Sequence, residues 1–464
     1  MSDSGPTSED GIATGTGRRL GRRLLRAGRA GTAALRRHRG RTGFGLGLVV
    51  GVAATAATMT LVPPLFPTGP EAGELVILSG HDDGAGGQRQ VLVDQWNATH
   101  PDNKARIEVL SSIADAQRSE MVARADKRTD QIDIYNLDVT WIAEFADQHY
   151  IRPLDAGSVD QSGFLEKPMK TCRYQNQLWA LPFNTDAPLL YYRGDLVAAP
   201  PASWAQLVEQ TRQVLAAGAS GREKFPQAGF VGQLGGYEGR TVNALEAIIE
   251  AGGAVLDDDD QVVIDSKRAR DGLKHLADGL AEASQQLIMK GSLDFNEAAS
   301  TQAFVNGQAL FMRNWPVAHR SLMTAPDTAT GQSQPLIPFQ VAPLPGGGVL
   351  GGQNLAVADR SRRPRAARAL IEFLTSARSQ QILFERGGFA ATRAIVYQDA
   401  AVIRQYPYAP TLLKAVGQAT PRPQLRHYNR FSAEFQEVVK ETIDNDGQLP
   451  TDAVDRLRDA IRGR

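Results

Sequence analysis

Polar side chains follow two apolar runs that have the length of strands. The run Leu75–Leu78 leads into Asp82 and Asp83, and a later run leads into Asn136 and Asp138. In open α/β sheets, ligands bind outside the carboxyl ends of the strands. Carboxylates and amides at such ends exchange hydrogen bonds in pairs, which suits a ligand with neighbouring hydroxyl groups.

A second set of candidates lies in a polar interruption between two apolar runs and in three later stretches of the sequence. The stretch LWALPFNTDAPLLYY (178–192) places Asn184 and Asp186 between two apolar runs. The other candidates are Trp315 in FVNGQALFMRNWP (304–316), Gly352 and Asn354 in GGQNLAV (351–357), and Arg393 in GGFAATRAIVY (387–397). Together with the carboxylates, an indole that covers the C–H face of a pyranose ring favours a polyhydroxylated ligand.

Each candidate also has a structural alternative. Asp82 and Asp83 could cap the helix that follows, Trp141 and Trp179 could belong to the core, and Asp138 and Arg393 could be members of ion pairs. The candidate carboxylates also leave open a cationic ligand such as a polyamine, because they would make the site acidic.

Enzymatic chemistry receives little support. Two carboxylates placed across a glycosidic bond would make a glycosidase, and the spacing of Asp and Glu does not exclude one. The sequence contains no G-x-S-x-G, P-loop or H-E-x-x-H motif. Its single cysteine, Cys172, cannot form an intramolecular disulfide, and its seven histidines are scattered. We therefore predict no catalytic residues, no metal site and no cofactor.

Charge is distributed unevenly along the 464 residues. Lys and Arg balance Asp and Glu at 51 each, yet ten arginines and no acid lie between Arg18 and Arg41. The remainder is therefore net acidic, which argues against a nucleic-acid partner. At 42% hydrophobic residues, the chain is long enough for two or three domains with cores.

An uncharged stretch, Gly43–Phe66, follows the basic segment. It approaches the roughly 20 residues that span a bilayer, and the preceding arginines favour a cytoplasmic N-terminus. We predict a cytoplasmic arm (1–41), a transmembrane signal-anchor (42–66) and a linker (67–73), with the rest extracytoplasmic. Cleavage as a secretory signal near Ala54–Ala56 is the alternative.

Strand-like runs alternate with helical patterns in the remaining chain. Leu75–Leu78, Ala105–Leu110 and Ile132–Tyr135 are typical of strands, and Leu189–Tyr192 begins a second unit whose first helix carries Trp204. Alternation of this kind predicts an α/β fold with a parallel or mixed sheet covered by helices.

From about Leu75 onward the sequence resembles the extracellular solute-binding proteins of sugar ABC importers, in the branch of maltose- and trehalose-binding proteins. The resemblance rests on DVTWIAEFADQHYIRPLD (138–155), LWALPFNTDAPLLYYRGDL (178–196), FVNGQALFMRNWP, GGQNLAV and ATRAIVY (391–397). It implies the two-lobed type II periplasmic-binding-protein fold with hinge crossovers. The implied lobes are 74–185 with 353–388, and 186–352 with 389–464.

The resemblance also implies the site. Asp138 and Asp186 match cleft aspartates, Trp315 the stacking tryptophan, Gly352 the close-approach glycine and Arg393 the arginine after the third crossing. The complete expected set is Asp82, Asp83, Asn136, Asp138, Asn184, Asp186, Tyr237, Glu238, Trp315, Gly352, Asn354 and Arg393.

The implied function is capture of a sugar, of two or more rings, between the lobes and its delivery to the transmembrane subunits of an ABC permease by hinge closure. Many relatives in Gram-positive cells are lipoproteins, whereas this chain lacks the lipobox cysteine. A membrane-tethered sugar sensor is therefore an alternative. A glycoside hydrolase also remains open, because the spacing of Asp and Glu does not exclude one.

Overall fold

The computed structural model describes residues 69–82, 84, 86–127, 131–218, 224–282, 286–324 and 333–464. The predicted arm, the signal-anchor, residues 67–68 of the linker and Asp83 lie outside these residues. Within the described ranges, none of the helices combines the length and the apolar character needed to cross a bilayer.

The first sheet has six strands around a parallel centre. Its strands are β1 (Leu75–Ser79), β2 (Ala105–Val109), β3 (Ile134–Asp138), β6 (Ala180–Asp186), β11 (Val349–Val357) and β12 (Thr420–Pro421). The order is β12-β11-β3-β1-β2, and β6 also pairs with β11. Strands β1, β2 and β3 are parallel, whereas β11 runs antiparallel to both β3 and β6. Strand β1 is apolar and buried along its whole length, as a central parallel strand requires.

The second sheet has four strands in the order β10-β7-β9-β8. They are β7 (Leu189–Tyr192), β8 (Ala228–Val231), β9 (Ala309–Asn314) and β10 (Gln340–Pro343). Strand β7 is antiparallel to β9 and β10, and β8 is parallel to β9. A small hairpin, β4 (Arg173–Tyr174) with β5 (Gln177–Leu178), lies apart from both sheets.

Helices cover both sheets. In the first half of the chain they are α1 (Gln88–Thr99), α2 (Ala114–Lys127), α3 (Ile142–Asp147), α4 (Glu166–Thr171), α5 (Trp204–Ala217), α6 (Glu238–Glu250) and α7 (Lys267–Leu280). The others are α8 (Glu297–Val305), α9 (Ala318–Ser321), α10 (Pro364–Leu374), α11 (Ala377–Ile382), α12 (Ala400–Gln405), α13 (Ala409–Gln418), α14 (Tyr428–Asp444) and α15 (Ala453–Ile461). Short 3-10 turns lie at Pro101–Asn103, Lys290–Leu293 and Ala394–Gln398, and a π turn at Leu383–Gly387.

Two strand boundaries differ from the sequence prediction. Strand β3 begins at Ile134 and continues through Asp138, so Asn136 and Asp138 lie within the strand rather than after it. The polar interruption ending at Asp186 is likewise the end of β6, and each of its residues is buried. The reason is β11, which pairs with both strands and extends their hydrogen bonding to these residues.

The chain passes between the two sheets where strands follow each other closely. It leaves the first sheet at the end of β6 and enters the second at β7, with only Ala187 and Pro188 between them. It returns to the first sheet between β10 and β11. Separate apolar clusters support the two sheets, one around Leu75, Ile134 and Phe145 and others around Tyr191, Phe311 and Phe431. The fold is thus two-lobed α/β, as predicted.

Candidate functional site

Arg422 connects the two lobes through a pair of carboxylates. It follows β12 directly, and its Nη2 donates to Oδ1 and Oδ2 of Asp138 at 3.0 and 3.2 Å. Its Nη1 donates to Oε1 of Glu238 at 2.7 Å. Asp138 ends β3 of the first sheet, whereas Glu238 begins α6. Only 3% of the Arg422 side chain is exposed, so this guanidinium is buried between its partners.

Glu238 is held by two hydroxyl groups besides the guanidinium. Tyr428 donates to its Oε1 at 2.6 Å, and Ser432 donates to its Oε2 at 2.5 Å. Burial raises the pKa of Glu238 above its ordinary value, although Arg422 and the two hydroxyl groups oppose that shift. The position is therefore built to keep a carboxylate in one orientation at the helix start.

Trp315 lies at the end of β9 in a second hydrogen-bonded group. Its Nε1 donates to Oε1 of Glu297 at 3.1 Å, and the hydroxyl of Tyr237 donates to Oε2 of the same carboxylate at 2.8 Å. The guanidinium of Arg313 stacks 3.8 Å from the indole centroid and is itself fixed by Glu246 at 2.7 Å. These contacts hold a half-buried indole in a fixed orientation.

Gly352 lets β11 approach β6 closely. It has φ +115°, and a Cβ at this position would lie 2.4 Å from the carbonyl oxygen of Asn184. At the neighbouring Gly351, a Cβ would lie 3.3 Å from both the Cβ of Asp186 and the Trp315 ring. The end of β6, the glycines of β11 and the indole are therefore adjacent.

Three buried acceptors near this junction have no donor among the described residues: Oδ1 of Asp186, Oδ1 of Asn184 and Oδ1 of Asn136. The remaining carboxylate oxygen of Asp186 accepts only a 3.3 Å hydrogen bond from Asn184. Burial raises the pKa of Asp186 to about 7. Unsatisfied buried acceptors are costly, so a hydrogen-bond donor at these oxygens would be stabilising, although none of the three is open to solvent in this structure.

Three further candidates have partners inside the first lobe. Asp82 accepts from the backbone N–H groups of Gly84 and Arg89 and from the side chain of Gln88, next to the start of α1. Asn354 donates to Oγ1 of Thr171 at 3.0 Å. The Nε of Arg393 donates to the carbonyl of Thr375, its Nη1 to the carbonyl of Ser162, and its guanidinium stacks 3.4 Å from the centroid of the Phe164 ring. The structure does not bring these three to the Arg422 cluster.

Sequence reasoning missed Arg422 and Glu297, which hold the two groups together. Arg422 is one of many arginines and follows no long apolar strand, although the flanking Pro421 and Pro423 indicate an extended segment. Glu297 stands in the first turn of a helix, where an acid is common for reasons of helix stability alone.

No group of His, Cys, Asp or Glu within the described residues is arranged to hold a metal ion. The assembled groups are instead carboxylates, amides, an indole and a guanidinium whose buried Nε finds no acceptor in the described part of the chain. Such a set can exchange hydrogen bonds with several hydroxyl groups and cover an apolar ring face.

Comparison with known proteins finds similarity over most of the chain. Residues 83–381 match the family described as bacterial extracellular solute-binding protein. A probable ABC transporter-binding protein of Deinococcus radiodurans is 26% identical over 361 residues, which are 75% of this chain and 83% of the relative.

Two solved structures have the same fold. Maltose-bound MalE3 of T. maritima superposes with a TM-score of 0.71 at 28% identity, covering 84% of this chain and 99% of that protein. The GacH receptor of Streptomyces glaucescens superposes with a TM-score of 0.69 at 21% identity, covering 85% of this chain and 98% of that protein. Because the family match spans more than half of the sequence and follows the fold described above, the chain belongs to the bacterial extracellular solute-binding protein family.

Proposed function

We propose that this protein captures a sugar, of two or more rings, between its lobes and delivers it to the transmembrane subunits of an ABC permease by hinge closure. The proposed lobes are 74–185 with 353–388, and 186–352 with 389–464. A ligand that contacts both lobes favours the closed state through the contacts that exist only there.

The observation that carries the proposal is the bridge from Asp138 through Arg422 to Glu238. It joins a strand end of the first sheet to a helix start beside the second sheet, with heavy-atom distances of 2.7 to 3.2 Å. The unpaired acceptors of Asp186 and Asn184 and the indole of Trp315 complete the proposed ligand-binding surface. Asn136, Tyr237 and Gly352 belong to the same proposed site.

The chemistry of these groups supports a polyol rather than a cation. Arg422 already compensates Asp138 and Glu238, and burial disfavours the charged form of Asp186. Neutral hydroxyl groups can donate to the free oxygens and accept from the free Nε–H of Arg422. The maltose bound by MalE3, at 28% identity, supports a sugar as the ligand.

The proposal places the lobes on the extracytoplasmic side, which agrees with the family. It further includes a signal-anchor at 42–66 that attaches the protein to the cell membrane, with residues 1–41 in the cytoplasm. Labelling residues on each side of the membrane in intact cells tests this part of the proposal. Release of the lobes as a soluble, shortened chain would contradict it and would favour cleavage near Ala54–Ala56.

A titration of the purified protein with maltose, trehalose and maltotriose tests the central claim. We expect saturable heat release and a raised melting temperature with at least one sugar, since a ligand of the native state stabilises it by mass action. Chromatography of the same mixtures monitors hydrolysis. The proposal fails if none of a broad set of sugars binds, and sugar cleavage would replace it with a hydrolase.

A further inference from the structure

A cavity of about 230 Å³ lies between α5 and α7, away from the proposed sugar site. Glu250, the last residue of α6, accepts from the backbone N–H of Trp204 at 2.9 Å and lies 3.5 Å from Nδ1 of His275, and both of these residues line the cavity. Glu238, at the other end of α6, belongs to the Arg422 bridge. Twelve residues of helix separate the two sites by about 18 Å.

One side of the cavity is apolar and contains an aromatic platform. Trp204, Val208, Leu215 and Leu287 line it. The indole of Trp204 stacks on the ring of His275 with a centroid distance of 5.9 Å and an interplanar angle of 15°. At roughly 30 Å³ per water molecule, the space corresponds to about eight waters, enough for one ring with a short substituent.

The polar side of the cavity is formed by Arg212, His275 and Asp278. Thr211 also borders the cavity, but its side chain is 2% exposed and faces Gly229 of β8, where an added Cβ would lie 2.5 Å from the Thr211 Oγ1. The Thr211 hydroxyl is therefore enclosed and does not face the cavity. The neighbouring Arg212 is exposed and forms no ion pair with any described residue.

One cationic group at the cavity, Arg212, suits an anion. The other charged lining residue, Asp278, is paired with Lys274 at 2.5 Å, and the Glu250 carboxylate is directed to Trp204 and His275. An arginine guanidinium binds carboxylates through paired hydrogen bonds. Arg212 thus supplies a free cation beside an apolar, ring-sized space.

We infer that this cavity is a second binding site, for a small aryl carboxylate. The aromatic ring packs against Trp204 and the apolar wall, and the carboxylate pairs with Arg212. The site is built entirely from the lobe of the second sheet, so it does not depend on the proposed sugar site.

Calorimetric titration of the full chain with 3-phenylpropionate tests the inference, with 3-phenylpropionamide as the neutral probe of the same shape. We expect saturable binding of the acid and about tenfold weaker binding of the amide, because a hydrogen bond to a charged group exceeds one to a neutral group. Arg212→Gln should weaken binding of the acid by about tenfold and leave binding of the amide unchanged. Arg404→Gln, an exposed arginine on α12, should change neither affinity.

Thr211→Val provides a second control beside the cavity. The enclosed hydroxyl has no partner among the described residues and does not face the cavity, so the variant should remain folded and bind both probes as the parent protein does. Equal affinity for acid and amide, unchanged binding in Arg212→Gln, or no saturation would overturn the inference. Displacement of the acid by a sugar would also overturn it, since the probe would then occupy the other site. None of these results bears on whether the sugar site itself binds sugar.

Discussion

Asp138 and Arg422 are joined by two hydrogen bonds although 284 residues separate them in the sequence. The pair brings the C-terminal part of the chain against the end of β3. Because Arg422 also binds Glu238, a single side chain contacts both lobes.

Removing that side chain should destabilise the native state strongly. In Arg422→Met, two largely buried carboxylates, 20% and 16% exposed, lose their cation, and we expect the free energy of unfolding to fall by about 3 to 5 kcal/mol. Urea unfolding monitored by circular dichroism measures the change. The control is Arg106→Gln, which removes a half-exposed arginine paired with Glu74 at 3.2 Å and with Glu108 at 2.6 Å and should cost about 1 kcal/mol or less. Equal effects of the two variants would mean that the buried bridge contributes little.

Gly352→Ala should also lower the free energy of unfolding, for a steric reason. The residue has φ +115°, and a Cβ would lie 2.4 Å from the carbonyl oxygen of Asn184. We expect a loss of about 3 kcal/mol or more from backbone strain and overlap together. Gly417 on α13 is the matched control, because a Cβ there has no neighbour within 4 Å. Gly417→Ala should stabilise the protein by about 0.5 to 1 kcal/mol, and a harmless Gly352→Ala would refute the close approach.

The pH dependence of stability should depend on Asp186. Burial raises the pKa of Asp186 to about 7 in the native state, from an ordinary value of 3.8. Between these values the native state binds more protons than the unfolded state, so its stability falls as pH rises from about 4 to 7. By this linkage the loss approaches about 4 kcal/mol above pH 7. Asp186→Asn should remove this contribution, which urea unfolding at pH 5 and pH 8 measures. An identical pH slope in the variant would show that Asp186 ionises normally.

Trp315→Ala tests the stacking surface of the proposed sugar site. We expect sugar binding to weaken by about 1 to 3 kcal/mol through lost ring contact and burial. Trp179→Ala is the control, because its indole donates to the carbonyl of Tyr174 beside the small hairpin of the other lobe. Calorimetry on both variants separates the local effect from general destabilisation. Equal affinity in Trp315→Ala and the parent protein would exclude the indole from the site.

The sequence predicted the fold class and much of the site because local patterns encode them. Apolar runs of strand length gave β1 and β2 closely, and polar residues at strand ends led to Asp138 and Asp186. The glycine pair before Asn354 indicated the close approach that Gly352 makes. These features depend on neighbours in the chain, which a sequence displays directly.

What the sequence did not reveal depends on distant partners. Nothing near Arg422 indicates that its acceptors are Asp138 and Glu238, and nothing near Glu297 indicates Tyr237 and Trp315. Asn354 shows the opposite case, in which a residue expected to contact the ligand has a partner within the protein. Its amide donates to Thr171 inside the first lobe, because residue type alone does not specify the direction of a side chain.

Arg422 should also determine whether the proposed sugar site prefers a neutral or a cationic ligand. With the guanidinium in place, Asp138 and Glu238 are compensated, and a cation gains little by entering. In Arg422→Met both carboxylates are free, so spermidine affinity should rise by about tenfold or more while sugar affinity falls. Titrations with spermidine and maltotriose at low and high salt measure both changes, and Arg106→Gln controls for the loss of one positive charge. Strong spermidine binding by the parent protein, unaltered in Arg422→Met, would instead identify the ligand as a polyamine.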